Sequence, residues 1–243
     1  MFEFSKKKLN IPEIWVASFE LYKQTLSKIW YLAFILIFTL LGCFNTVLKT
    51  HVSDQTLKHV QKPIFHLSPI SVICYVIGMV IGLFLISVIL HRMYNLVTDP
   101  KYSLQKSIYF VLSKYLIIFS CVLVVYIATV GGFLLFVVPG VFIGVLFMFS
   151  LFVVLFEDAG WLSAIKRSCK LVWGNWWRTF AVIIFPALIL VVIQNVIVLI
   201  IGVHYIWINI LVVSLVMSGL KPYFDAVLLV QFNDLKLREK QHS

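Results

Sequence analysis

Four polar side chains lie within long apolar stretches of the sequence, where a transport function would place them. Lys221 and Asp225 stand four residues apart in one stretch, and Gln194 and Asn195 are neighbours in another. A spacing of four places a lysine and an aspartate on the same face of a helix, where they can pair. Ionisable groups inside a bilayer are costly and commonly mark the path of an ion or substrate. These four residues are therefore candidates for a polar path through a small transporter.

A proline leaves a second interpretation of this pair open. Pro222 directly follows Lys221, and proline can end or kink a helix because it lacks a backbone N–H. In that case the apolar helix ends near Leu220, and Lys221 extends along its aliphatic stem toward the lipid headgroups. The sequence supports both a membrane-buried pair and an interfacial lysine.

A basic segment rich in tryptophan is a candidate for contact with lipid headgroups. Its cations are Lys166, Arg167, Lys170 and Arg178, and they are interleaved with three Trp residues. Trp is enriched at membrane–water interfaces, and a basic residue beside an anionic membrane surface gains about 1 kcal/mol. We expect these cations to contact anionic lipid; the alternative is that they serve only to orient the chain in the membrane.

The sequence lacks the common residue patterns of enzymes and metal sites. It contains no Gly-x-x-x-x-Gly-Lys loop, His-Glu-x-x-His pair, Cys-x-x-Cys pair or Gly-x-Ser-x-Gly turn. Glu157 and Asp158 are adjacent acids before an expected helix start, where they complement the helix dipole. His51, His59 and His66 share a polar loop without Cys or Glu, which favours a solvated loop and leaves any role of these histidines open. The expectation is a non-enzymatic protein without metal or cofactor.

The composition indicates that a bilayer surrounds these residues. Hydrophobic residues make up 62% of the 243 residues, against about 45–50% in soluble domains, and the mean hydropathy is +1.02. In so apolar a chain, the net charge of +10 is explained by orientation of the chain in the membrane and does not indicate binding to nucleic acid.

The 42 residues from 115 to 156 contain no charged residue or His, and this run is about twice as long as one span needs. Pro139 and Gly140 interrupt this run and predict the turn of a helix hairpin.

The same pattern predicts an all-α, polytopic membrane protein with six transmembrane helices in one domain, 1–243. The predicted spans are 30–48, 70–90, 115–137, 141–156, 180–201 and 206–232. An amphipathic helix is expected at 11–29, either lying on the membrane surface or packed on the helix bundle, and further interfacial helices are expected at 103–112 and 161–172. Lys and Arg number 16 on the side of both termini and 3 on the other, which predicts cytoplasmic termini. Two Gly-x-x-x-Gly pairs, at 78–82 and 140–144, predict close helix packing.

One region and the C-terminal segment are similar to a known family. The pattern is Pro139-Gly140, an apolar helix, Glu157-Asp158-Ala159-Gly160, Ala164-Ile165-Lys166-Arg167-Ser168 and a Leu-Val-Trp-Gly-Asn run. It resembles the YciC-like family of bacterial inner-membrane proteins and the related membrane domain fused to some glycerophosphodiester phosphodiesterases. The segment 232–238 is similar to the closing segment of the family, with Phe232 where Tyr is common.

The resemblance implies a six-helix protein of the bacterial inner membrane with an undefined biochemical role. It brings no catalytic residues, and no phosphodiesterase domain is present. We therefore expect a non-enzymatic inner-membrane protein whose partner is the phospholipid bilayer. Its role would lie in envelope or lipid homeostasis or in assisting transport. The alternative is the small transporter with a polar path near Lys221 and Asp225.

Overall fold

The protein is built from α-helices in every part that the structure describes. The computed structural model describes residues 2–57, 69–202 and 205–240, and these ranges contain no strand. The helices are α1 Ile11–Leu57, α2 Pro69–Thr98, α3 Leu104–Leu135, α4 Val137–Phe147, α5 Ser150–Phe156, α6 Trp161–Trp173, α7 Trp176–Ile201 and α8 Ile206–Glu239. The predicted all-α class is confirmed.

Six stretches within these helices are long and apolar enough to cross a membrane. They are Ile11–Cys43, Val72–Thr98, Leu104–Leu135, Val137–Phe156, Trp176–Ile201 and Ile206–Glu239. Helices α4 and α5 together form the fourth stretch, with a short irregularity at Met148 and Phe149 between them. The number of spans agrees with the sequence prediction, and several boundaries differ.

The first difference is at α1, where the sequence predicted an amphipathic helix at 11–29, on the membrane surface or packed on the bundle, and a separate span at 30–48. The structure has one continuous helix from Ile11 to Leu57. The junction at Ile29 and Trp30 contains no proline, glycine or capping residue, so nothing in the local sequence ends the first helix. Helix α3 likewise continues without a break from Leu104, in the interfacial segment expected at 103–112, into its apolar part.

The second difference is the hairpin turn, which lies at Phe136 and not at Pro139 and Gly140. Phe136 is extended, with φ −162° and ψ 159°, and α4 begins at the next residue. Pro139 therefore lies in the first turn of α4, where a backbone N–H has no intrahelical partner to lose. The absence of a side chain at Gly132 and Gly140 permits the close approach of the two helices: a Cβ added to Gly132 would lie 2.9 Å from the Gly140 Cα, and one added to Gly140 would lie 2.5 Å from Phe133 Cγ.

The third difference is at the end of α8, which continues through Pro222 to Glu239. The span was predicted to end at 232, and the alternative interpretation ended it near Leu220.

Helix α7 also contains a proline, Pro186, which cannot donate to the carbonyl of Val182 four residues earlier. The indole Nε1–H of Trp15 in α1 donates to that carbonyl at 3.2 Å, so a neighbouring helix replaces the missing backbone bond.

The long helix α1 packs lengthwise against both α8 and α2, and α7 packs on α8. The α3–α4 hairpin forms the other side, with α6 returning along α5, α4 and α3. The predicted close contact at the first Gly pair is present: a Cβ on Gly78 would lie 2.5 Å from Cys43 Sγ, and one on Gly82 would lie 2.8 Å from Leu40 Cδ2. These glycines therefore serve packing within the chain.

Candidate functional site

Lys221 and Asp225 form a closed pair on α8. Lys221 Nζ lies 2.8 Å from both carboxylate oxygens of Asp225. The Asp225 side chain is 2% exposed and the Lys221 side chain 23% exposed. The pairing inferred from their spacing is present, and α8 does not end near Leu220, as the second interpretation had supposed.

The amides of Gln194 and Asn195 are not brought to this pair. Both residues are exposed on α7, and Asn195 Nδ2 donates to the carbonyl of Val191 in its own helix at 2.8 Å. Within the described residues, no hydrogen bond joins either amide to Lys221 or Asp225. The four polar residues that were candidates for one path therefore lie in two separate places.

Two of the four candidate lipid-contacting cations lie in an ion-pair cluster. Arg167 bridges Glu157, at 3.1 Å, and Glu239. Lys170 Nζ lies 3.2 Å from Glu239 Oε1, and Lys236 Nζ lies 3.0 Å from Glu157 Oε1. The hydrogen bonds to Glu239 and Glu157 raise the pKa of Arg167 above its usual value, although burial opposes the shift. The cluster joins the end of α5, the middle of α6 and the end of α8.

The remaining two of the four cations differ from each other. Lys166 is exposed on α6 and makes no ion pair with the residues that the structure describes. Arg178, near the start of α7, is largely buried and pairs with Asp234 of α8 at 3.1 Å. Contact of these cations with anionic lipid stays a prediction, and only Lys166 and Lys170 present mostly exposed charges for it.

Asp234 is the centre of a second buried network. Its carboxylate accepts the backbone N–H of Leu9 at 2.8 Å, Arg178 at 3.1 Å and Arg238 at 2.7 Å. The carbonyl of Leu9 accepts hydrogen bonds from both arginines. The network therefore ties the segment before α1 to the start of α7 and the end of α8.

A groove of about 750 Å³ lies between the start of α4 and the junction of α6 and α7. Its walls are apolar and aromatic, with one amide and, among the described residues, one charged group. The lining residues are Val137, Val138, Val141, Phe142, Trp173, Gly174, Asn175, Trp176, Trp177, Arg178 and Phe180. This volume is within the roughly 300–1,000 Å³ of small-molecule sites, which combine apolar walls with few polar groups.

Stacked aromatic rings line the groove. The Trp176 ring lies between Phe142 and Phe180, with centroid distances of 5.3 Å to each. Its Nε1–H donates to the carbonyl of Phe142 at 3.2 Å. Trp173 and Trp177 border the groove and are exposed at 68% and 78%. The arrangement suits a ligand with an apolar body and a polar or charged end.

A buried polar group between α2 and α3 was not anticipated from the sequence. His91 Nδ1 lies 3.2 Å from Ser107 Oγ, and Asn95 Nδ2 lies 3.3 Å from His91 Nε2. The order Ser–His–Asn is that of a nucleophile, its general base and a third group that orients the base. However, Ser107 has no exposed surface, and the His91 ring stacks on Phe110 at 4.1 Å. A substrate cannot reach the hydroxyl, so the group links two helices.

Most of the loop that contains His51, His59 and His66 lies outside the residues that the structure describes. His59 and His66 lie outside the described residues, and so does the side chain of His51. Among the described residues, no group of three or more His, Cys, Asp or Glu side chains is placed to hold a metal ion.

The fold and these sites define a class of protein, a helical multi-pass membrane protein with six apolar helices long enough to span a bilayer. Comparisons with protein-family models, with curated proteins and with solved structures each found no match.

Proposed function

We propose that this chain is a non-enzymatic protein of the bacterial inner membrane that binds phospholipid and acts in lipid or envelope homeostasis. The groove between α4 and the α6–α7 junction carries this proposal. Two of the helices that form it, α4 and α7, belong to candidate spans. The molecules beside such a groove are bilayer lipids, and its valine and aromatic walls fit an acyl chain.

The bordering residues support the same ligand. Trp173 and Trp177 are largely exposed, and Trp side chains favour the headgroup zone, where the ring stays apolar and the indole N–H meets polar groups. Asn175 and Arg178 line the same groove, and their donors suit a phosphate or a glycerol ester. A phospholipid can satisfy the apolar walls and the polar end together.

The proposed orientation puts both termini in the cytoplasm. Its support is the distribution of Lys and Arg along the chain. Reporter fusions after Leu90 and Phe156 should score as cytoplasmic, and a fusion after Ile201 should score on the opposite side. The reverse pattern would refute this orientation.

A groove-filling substitution tests lipid binding. Val141→Trp should reduce the number of phospholipids that the purified protein retains in mild detergent, counted by native mass spectrometry. Val138→Trp provides a second variant at a more exposed position of the same groove. Val192→Trp is the matched control, because Val192 is also exposed but lies on α7 away from the groove. Equal lipid retention in the groove variants, the control and the wild type would refute the proposal.

The transporter alternative has less support in the arrangement of residues. Lys221 and Asp225 satisfy each other, and Gln194 and Asn195 are exposed elsewhere on α7. A transport path needs polar groups that converge near the middle of the membrane. Substrate flux through reconstituted protein that disappears in Lys221→Met would favour the transporter over the lipid-binding role.

A further inference from the structure

We propose that the groove prefers anionic over zwitterionic phospholipid, because the protein leaves one positive charge unbalanced beside it. This inference rests on the proposed lipid-binding function and names the class of headgroup. The unbalanced charge belongs to the network of Arg178, Asp234 and Arg238, and Arg178 is the member that also lines the groove.

The network of Arg178, Asp234 and Arg238 contains two positive charges and one negative charge. Two guanidinium groups, of Arg178 and Arg238, share the single carboxylate of Asp234. The other shared acceptor is the carbonyl of Leu9, which is neutral. Within the described residues, no second carboxylate forms an ion pair with either arginine. The network therefore carries a formal charge of +1.

The burial of these groups strengthens the electrostatic interaction of that charge with a ligand in the groove. The Asp234 side chain has no exposed surface, and each arginine side chain is 19% exposed. Arg178 Nε is buried and has no hydrogen-bond partner in the described part of the chain. Charges act more strongly where protein excludes water, and guanidinium groups suit phosphate oxygens because they are planar and always charged. An anionic ligand beside Arg178 would neutralise the network.

The groove indicates that this anion is a phospholipid. A free phosphate ion would leave the valine and aromatic walls without a partner, whereas the acyl chain of a lipid covers them. A phosphatidylglycerol headgroup carries one negative charge and balances the +1. A phosphatidylethanolamine headgroup carries the same phosphate together with an ammonium group, which the arginines repel. The expected result is a preference between headgroups on top of shared acyl-chain binding.

Charge variants of the network test this preference. The protein is reconstituted in vesicles of equal parts phosphatidylglycerol and phosphatidylethanolamine, and the ratio of the two lipids retained is measured by native mass spectrometry. Arg238→Gln lowers the formal charge to zero without altering a groove-lining residue, and the ratio should fall about fivefold, the factor for one basic charge near an anionic surface. Asp234→Asn raises the charge to +2 and should increase the ratio.

Two further variants separate charge from structure. Arg238→Lys retains the charge while changing the hydrogen bonds, so its ratio should stay close to the wild-type value. Lys101→Gln removes one exposed charge from the turn between α2 and α3, outside the groove, and should also leave the ratio unchanged. If Asp234→Asn does not fold, the comparison of Arg238→Gln with Arg238→Lys still decides the question.

The failures of the two proposals are distinguishable. Wild-type protein that retains no lipid would overturn the lipid-binding function and this inference together. Retained lipid that disappears in Val141→Trp, with the same headgroup ratio in every charge variant, would overturn the preference and leave the function standing. A fall in the ratio for Lys101→Gln as large as that for Arg238→Gln would also overturn it, because the effect would then come from the general surface charge.

Discussion

The pair of Lys221 and Asp225 allows a quantitative test of how this fold holds charge inside an apolar helix. The Nζ–Oδ distances are 2.8 Å, and Asp225 is almost completely buried. At an effective dielectric constant of about 20, opposite charges at that distance attract by about 6 kcal/mol. Desolvation offsets much of this attraction, yet removing one partner of a buried pair typically costs about 3–5 kcal/mol, because the other charge is stranded.

The two single substitutions should therefore differ. Lys221→Met should lower the free energy of unfolding by about 3 kcal/mol, because Asp225 remains buried without its cation. Asp225→Leu should cost about 1–2 kcal/mol, because the partly exposed Lys221 can redirect its ammonium group along its stem. The double variant should lose less than the sum of the singles, with a coupling free energy of about 2–3 kcal/mol.

Equilibrium unfolding in mixed detergent micelles measures these values. Lys170→Met is the control, because its side chain is 71% exposed and an exposed ion pair contributes at most about 1 kcal/mol. Single losses that add to within about 0.5 kcal/mol in the double variant would refute the coupling. Single substitutions with almost no effect on stability would instead restore the interfacial interpretation of Lys221.

Two further predictions concern helix packing and use the same unfolding measurement. Gly132→Ala should destabilise the α3–α4 hairpin because the methyl group would meet the opposite backbone, whereas Gly131→Ala meets nothing within 4 Å and should be neutral or stabilising; equal effects would contradict the close approach. Trp15→Phe should cost about 1 kcal/mol because the carbonyl of Val182 loses its donor. That cost should shrink in a Pro186→Ala background, where a backbone N–H is restored, and an equal cost in both backgrounds would contradict this role of the indole.

Local sequence patterns were sufficient for features that depend on neighbouring residues. The apolar runs predicted six spans, and the spacing of Lys221 and Asp225 predicted their pairing. At α1 the pattern placed a boundary between 29 and 30 that the structure does not have, because nothing at Ile29 ends the helix. It also misplaced the hairpin turn, because Pro139 and Gly140 fit the first turn of α4 as well as they fit a loop.

The candidate site depended on contacts that no local pattern encodes. Asp234 and Arg238 are four residues apart, a spacing that could have marked them as a pair. Their link to Leu9, however, crosses 225 positions of the chain. The groove likewise arises where Phe142 meets Trp176, across 34 positions. The sequence predicted membrane contact for the tryptophan-rich segment, and only the fold showed that the segment borders a groove.

The link between Leu9 and Asp234 has a consequence for the order of assembly. Translation produces Leu9 225 positions before Asp234, so the backbone N–H of Leu9 gains its acceptor only when the last described helix is made. Arg178 also waits, since its carboxylate partner is made 56 positions later. A partly synthesised chain therefore leaves Arg178 without its carboxylate and Leu9 without its acceptor, and insertion of α8 supplies both in one step.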